Sequence, residues 1–198
     1  MRSIAIRGSF VVSFLLLTAC HHGPDGPLNM APRYTPTSKI GLGVIQNSST
    51  QLTLQVVDQR NRGDLLGRNS EESPPVEVHA SPADVTKFVT EGLTREITGS
   101  GYSIVPQAPL GFTITILEVW GEEVGTYKGS VRLKVDVTKN GAVVDSFTVT
   151  GNSSRWGASL SEENYDEVLS DSLVNAIKNL ITSPNFQKAL APEAVAAP

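Results

Sequence analysis

The sequence predicts an α+β domain, in which a mixed, mainly antiparallel sheet of about five strands carries two amphipathic helices packed on one face. Three observations lead there. Residues 131–137, "VRLKVDV", alternate apolar and polar side chains at the period of a half-buried strand. Residues 81–97 and 161–181 instead repeat apolar side chains at three- and four-residue spacing, which lines up one buried stripe on a helix. A chain of 198 residues that is 39% hydrophobic and 18% charged has the composition of one globular core.

The chain opens with Arg2 and Arg7, an apolar run from Phe10 to Leu17, and small residues before Cys20. That order reads as an export signal over residues 1–19, because the run is shorter than the roughly 20 residues of a spanning helix. Cys20 is the single cysteine of the chain, so no intramolecular disulfide can form. The four residues Leu17-Thr18-Ala19-Cys20 resemble the lipobox of bacterial lipoproteins, in which a diacylglycerol is attached to the cysteine sulfur and the leader is cut just before it. This resemblance makes Cys20 the lipidation site. A diacylglycerol with a further N-acyl chain, palmitate for example, anchors firmly, because each buried CH₂ contributes about 0.8 kcal/mol and stable anchoring needs more than one chain. The residue after the cysteine is His21, not the aspartate that usually retains lipoproteins at the inner membrane. By resemblance, the mature protein belongs on the outer membrane, facing the periplasm.

Residues 20–38 read as the lipidated cysteine and a tether, with Pro24, Pro27, Pro32 and Pro36 and no hydrophobic periodicity. His21 and His22 alone do not supply the three or four ligands of a zinc site. A single domain is expected over residues 39–190. Its first strand is 51–58, with Leu52, Leu54 and Val56 on one face. Residues 59–80 read as a long loop, of a length that is usually functional or disordered.

Ser81 then caps a helix with Pro82 at its first position, Asp84 near the positive end of its dipole and Val85, Phe88, Val89, Leu93 and Ile97 on one side. The glycines of "TGSGY" end it. "YSIVP" follows as a short strand, completing a strand–helix–strand crossover expected to be parallel. Two antiparallel strands come next, 112–120, with Phe112, Ile114 and Ile116 alternating, and 131–137.

The turn "KNGA" leads into "VVDSFTVT". A two-residue Asn140-Gly141 loop would leave Leu133 opposite Thr148, whereas a three-residue loop, Lys139 to Gly141, pairs Val137 with Val143, Leu133 with Phe147 and Val131 with Val149. The three-residue loop is preferred because it matches more apolar partners. Ser161 caps the second helix, whose stripe is Tyr165, Val168, Leu169, Leu173, Ala176, Ile177 and Leu180. A short helical turn around Phe186 and Leu190 precedes a frayed tail, 191–198.

This succession resembles the YajG family of bacterial envelope lipoproteins. The resemblance rests on a lipobox, a Pro-rich stretch, a strand running into "VVDQR", a helix and strand in "ADVTKFVTEGLTREITGSGYSIV", a meander, and the helix "SDSLVNAIKNLITSPNFQKAL". It implies an envelope lipoprotein and carries over no site beyond Cys20. More remotely, the layout resembles auxiliary lipoproteins of envelope transport machines.

Charge narrows the partners. The net charge is −4, and without Arg2 and Arg7 the remaining 14 basic and 20 acidic residues give −6. That balance excludes a nucleic-acid surface, which needs clustered Lys and Arg to neutralise phosphates. Neither a cofactor nor a metal is expected, and no catalytic constellation is visible. His79 reads as a solvated loop histidine, Glu118, Glu122 and Glu123 as a solvated strand edge, and "GEEVGTYKG" lacks the context of a phosphate loop. Two groups retain functional weight. Arg60, Arg62 and Arg68 suit an acidic partner or a polymer carboxylate, or else pair internally. Trp120, Tyr127 and Trp156 lie near strand ends, where aromatics bind glycans or proteins or pack the rim of the core. The resulting expectation is a noncatalytic accessory or adaptor of the cell envelope, contacting envelope proteins or the cell wall. The alternative is a periplasmic small-molecule or glycan (cell-wall) binding domain, with or without hydrolytic activity.

Overall fold

The computed structural model describes residues 26–40, 50–157 and 160–191. Cys20 and the export segment lie outside the described residues. In chain order the elements are β1 (Leu28–Asn29), β2 (Gln51–Asp58), β3 (Leu65–Asn69), β4 (Val76–His79), α1 (Pro82–Gly99), β5 (Ser103–Ile104), β6 (Leu110–Glu123), β7 (Tyr127–Lys139), β8 (Ala142–Arg155), α2 (Glu162–Thr182) and α3 (Pro184–Leu190).

Both helix caps form as the sequence predicts. The Ser81 hydroxyl accepts from the Asp84 N–H and the Ser161 hydroxyl from the Asn164 N–H, each occupying a donor that the first helical turn leaves free. Ser183 caps α3 in the same way, through the Phe186 N–H. The predicted stripes of α1 and α2 are all buried.

The sheet is larger and more parallel than expected, with eight strands in place of about five. The long antiparallel meander β6–β7–β8 is present, but β2 pairs in parallel with both β5 and β6, and β3 pairs in parallel with β6. β6 is long enough at 14 residues to hold two strands end to end on one edge. Its first half, Gly111–Ile116, pairs with β2, and its last three residues, Gly121–Glu123, pair with β3. The β2–β5 pairing confirms the parallel crossover around α1.

Two sequence readings are corrected here. Residues 59–80 are not one loop, because β3 and β4 form an antiparallel pair within them. Both strands are too short for periodicity to reveal, and β3 owes its position to a partner more than fifty residues away. Nor does the tether describe residues 28–38. β1 pairs with β4, Tyr34 packs edge-on against Phe88, and Arg33 forms a 2.8 Å ion pair with the buried Asp166. Thr35 N–H donates to Ser170 Oγ, and the N–H groups of Thr37 and Ser38 donate to Asp171. The segment lacks periodicity because, past β1, α2 side chains satisfy its backbone in place of a strand ladder.

The turn between β7 and β8 also differs. Asn140 and Gly141, with φ of 50° and 84°, form the two-residue loop that places Lys139 opposite Ala142. Next, a bulge lets the register skip Val144, so that Val137 faces Asp145, Val135 faces Phe147 and Leu133 faces Val149. One extra residue restores the apolar facing that an uninterrupted two-residue hairpin would lose.

α2 lies very close to the sheet. Gly67, Gly121 and Gly129 are register neighbours across β3, β6 and β7. A Cβ on Gly121 would stand 2.7 Å from the Tyr165 ring, one on Gly129 2.4 Å from Ser172 Oγ, and one on Gly151 2.2 Å from the Ala176 nitrogen. Bare backbone on this face therefore lets α2 cover the meander and leaves the other face of the same strands open.

Candidate functional site

The open face of the meander takes its composition from a bulge in β6. Phe112, Ile114 and Ile116 point into the core, and simple alternation would send Glu118 and Trp120 after them. The register shift between Ile116 and Glu118 reverses this, so Val119 becomes buried and Glu118, Trp120 and Glu122 turn outward.

Register then assembles a charged row across four strands. Glu77 of β4 is opposite Arg68 of β3, Arg68 opposite Glu122 of β6, and Glu122 opposite Lys128 of β7. Arg68 makes an ion pair of 2.7 Å with Glu122, and this hydrogen bond holds the Glu122 carboxyl below its usual range. Glu118 lies opposite Arg132, at a looser 3.9 Å. Further along β7, Lys134 reaches Asp136 at 2.9 Å.

The segment leaving β2 crosses the bulge and adds two more arginines. Arg62 places its guanidinium 4.1 Å from the centroid of the Trp120 ring, a cation–π contact. Among the described residues it has no carboxylate partner. Arg60 turns inward, with its side chain 3% exposed, and directs Nε and Nη2 to the Asp58 carboxylate at 3.0–3.1 Å. Its Nη1 is buried without a hydrogen-bond partner. Arg60, Arg62, Arg132, Glu118 and the bulge residue Leu117 line a cleft of about 300 Å³. A second cleft beside it, of about 410 Å³, is lined by Arg62, Arg68, Glu77, Trp120 and Glu122.

Of the residues singled out from sequence, Arg60, Arg62, Arg68 and Trp120 thus converge on one corner of the open face, with internal pairing at Arg60 and Arg68. Trp156 does not join them. It follows the end of β8, is 73% exposed and lines neither cleft. Tyr127 is a core residue, edge-on to Tyr165 with centroids 5.1 Å apart, and burial pushes its hydroxyl up to about 12.

The acidic trio divides. Glu118 and Glu122 are on the open face, but Glu123 is 3% exposed, contrary to the solvated edge expected for it, and burial raises its carboxyl. His79 is likewise no free loop residue. It sits in β4 with its ring nitrogens 3.2 Å from Asp64 and 3.0 Å from Glu77. Burial works against its protonated form, but the hydrogen bonds to Asp64 and Glu77 prevail and raise its pKa.

Sequence reading missed Arg132, Glu77 and Asp58. Arg132 was visible as part of a polar strand face, and only register shows what it meets. Among the described residues there is no cluster of three or more His, Cys, Asp or Glu that could hold a metal ion, and no helix is long and apolar enough to cross a membrane.

A family model described as an uncharacterised lipoprotein matches residues 43–191. A search of curated proteins finds no match. Among solved structures, protein XCC0632 of Xanthomonas campestris is 16% identical, with a TM-score of 0.50 over 77% of this chain and 92% of its own, a likeness of fold. The hypothetical protein CT253 of Chlamydia trachomatis is 11% identical, with a TM-score of 0.49 over 73% of this chain and 99% of its own. Lipoprotein GNA1162 of Neisseria meningitidis is 12% identical, with a TM-score of 0.27 over 53% of this chain and 83% of its own.

Proposed function

The chain belongs to the uncharacterised-lipoprotein family, the YajG family, and from that premise we propose that it is a noncatalytic accessory of the cell envelope, lipidated at Cys20. In this reading it is anchored to the outer membrane, faces the periplasm, and offers the open face of its meander to envelope proteins or the cell wall.

The observation that carries the reading is the contrast between the two faces of one set of strands. α2 covers one face. The other displays Arg68, Glu122, Lys128 and Arg132 around Trp120, with Ser130, Thr150 and Asn152 extending it as a polar field that holds a shallow depression of about 500 Å³ beside Trp120. Paired charges around an aromatic suit a reversible protein contact, since Trp and Arg are enriched where interfaces concentrate their binding energy.

The test places a photocrosslinking amino acid at Ser130 or Thr150 on the open face, and at Lys87 on the exposed side of α1, in intact envelopes. Adducts confined to the open-face positions are expected. Adducts only from Lys87, or none from any position, would overturn the adaptor reading. The anchor has its own test, in which Cys20→Ser should abolish fatty-acid labelling and membrane fractionation, and label retained on the Ser variant would end it.

A further inference from the structure

Exposed apolar side chains occur at both ends of the meander, and only one of those ends is the end at which the chain enters the sheet. Among the described residues, the exposed large hydrophobics are Val124, Val143, Val144 and Trp156, at 50%, 65%, 54% and 73%. Val143 and Val144 follow the Asn140-Gly141 turn between β7 and β8. Val124 lies in the turn between β6 and β7, and Trp156 follows Arg155, whose register partner Tyr127 opens β7 beside that turn. Val124 and Trp156 therefore share one end, two strand spacings or about 10 Å apart across the sheet.

The strand pairings place the entry point at this same end. β1 is parallel to β4, β4 antiparallel to β3, and β3 parallel to β6, so β1 starts on the side where β6 finishes. Leu28 is level with Val78, Gly67 and Gly121, close to the last residue of β6, Glu123. Cys20 stands six residues before Gly26 in sequence, and six residues span at most about 21 Å. The other end is out of that range, because the 13 residues of β7 separate the two ends by about 40 Å.

We propose that the end of the sheet bearing Val124 and Trp156 is a membrane-contact site, whose two side chains seat at the headgroup boundary of the bilayer that holds the lipidated Cys20. A lone exposed apolar residue needs no explanation. A tryptophan and a valine on one end, within a short reach of the anchor, form a surface that the bilayer must approach, and an indole, apolar with one N–H donor, suits that boundary. Charge selects the lipid. The Glu71 carboxylate accepts from the Gly125 N–H in the β6–β7 turn, and α2 begins nearby with Glu162 and Glu163, so the matching headgroup is zwitterionic rather than anionic. This inference rests on the lipid anchor of the proposed function and adds which end of the domain faces it. Docked in this way, the strands stand away from the bilayer and the open face of the meander stays accessible.

The test uses the protein purified from membranes with its anchor and reconstituted into phosphatidylcholine vesicles, with or without bromine on the acyl chains near the headgroup. Trp120→Phe leaves Trp156 as the reporter, since the chain has two tryptophans. Flotation with the vesicles reports the anchor, and quenching by bromine reports contact. Burial of about 5–10 Å into the boundary should quench Trp156 at least about twofold. The complementary Trp156→Phe variant, which reports Trp120 on the open face, should be quenched far less. Val124 is exposed in a turn, so Val124→Glu, added to Trp120→Phe, should keep the far-UV spectrum and the flotation but lose about half or more of the Trp156 quenching.

Flotation with an unquenched Trp156, quenching of Trp120 equal to that of Trp156, or undiminished quenching with Val124→Glu would each overturn the inference. A protein occupying this end in place of lipid gives the first of these results. Loss of flotation in the parent would remove the anchor and this inference together, whereas flotation without quenching removes this inference alone.

Discussion

The two faces of β6–β7–β8 are made by alternate residues of the same strands, and they follow different rules. The covered face is built from Val131, Leu133, Val135 and Val137, all 0% exposed, together with Gly121, Gly129 and Gly151, over which α2 rests. There, side-chain volume is the variable, and too much fails as surely as too little. The open face is built from Glu122, Lys128, Arg132, Lys134 and Trp120, and there the variables are charge and register. Stability is concentrated on the first face, so substitutions on the second are free to answer to binding.

The largest expected effect tests the covered face by removing volume. Leu133→Ala should lower unfolding free energy by about 2–5 kcal/mol in denaturant melts, as truncation of a fully buried side chain. A loss below about 1 kcal/mol would mean that the meander is not the core.

Gly151→Ala tests the same face by adding volume. Its new Cβ would fall 2.1 Å from the Ser172 carbonyl oxygen and 2.2 Å from the Ala176 nitrogen, both helix backbone, so α2 itself must move. A cost of about 1–3 kcal/mol is expected, where an exposed strand glycine would gain from the same change. Unchanged stability would show that α2 does not sit this close.

Glu123→Gln sharpens the contrast by removing a charge from the wrong side of it. Burial raises the folded-state pKa of Glu123 above the ordinary carboxyl value of 4.5, so between those two values the folded chain binds more protons than the unfolded one. Stability contributed by the protonated carboxyl is present at low pH and falls as pH rises through this window. The Gln variant should lose that decline and melt higher than the parent at neutral pH. An identical pH profile for the two would place Glu123 in solvent.

The smallest effect is expected on the open face. Lys134→Ala, adjacent to Leu133 in sequence but pointing the other way, should lie within about 0.5 kcal/mol of the parent, its half-exposed ammonium making a single, water-accessible ion pair with Asp136. A loss comparable to that of Leu133→Ala would mean that something covers this face and would erase the distinction between the two.

Much of the fold was legible because it is local. Ser81 and Ser161 reach acceptor distance of an N–H three residues on, and "VRLKVDV" announces its own two faces, so caps, helix stripes and the strand around 131–137 form where sequence places them. The site was legible only as a set of residue types. Arg60, Arg62, Arg68 and Trp120 stood out, but their sequence positions assign no order to them, and nothing local separates them from Trp156, which the fold leaves elsewhere.

Sequence by itself determined which segments bury a stripe or a face, and where helices start, because those depend on neighbours within a turn or two of chain. Only the tertiary structure decided which way Trp120 points and which valine Leu133 faces. Both follow from bulges, at Leu117 in β6 and at Val144 in β8, and a bulge of one residue inverts every side chain beyond it. Its position is set by the match of two strands along their whole length and by the helix that must fit over their glycines. That energy is shared among residues far apart in the chain, and no local window of sequence contains it.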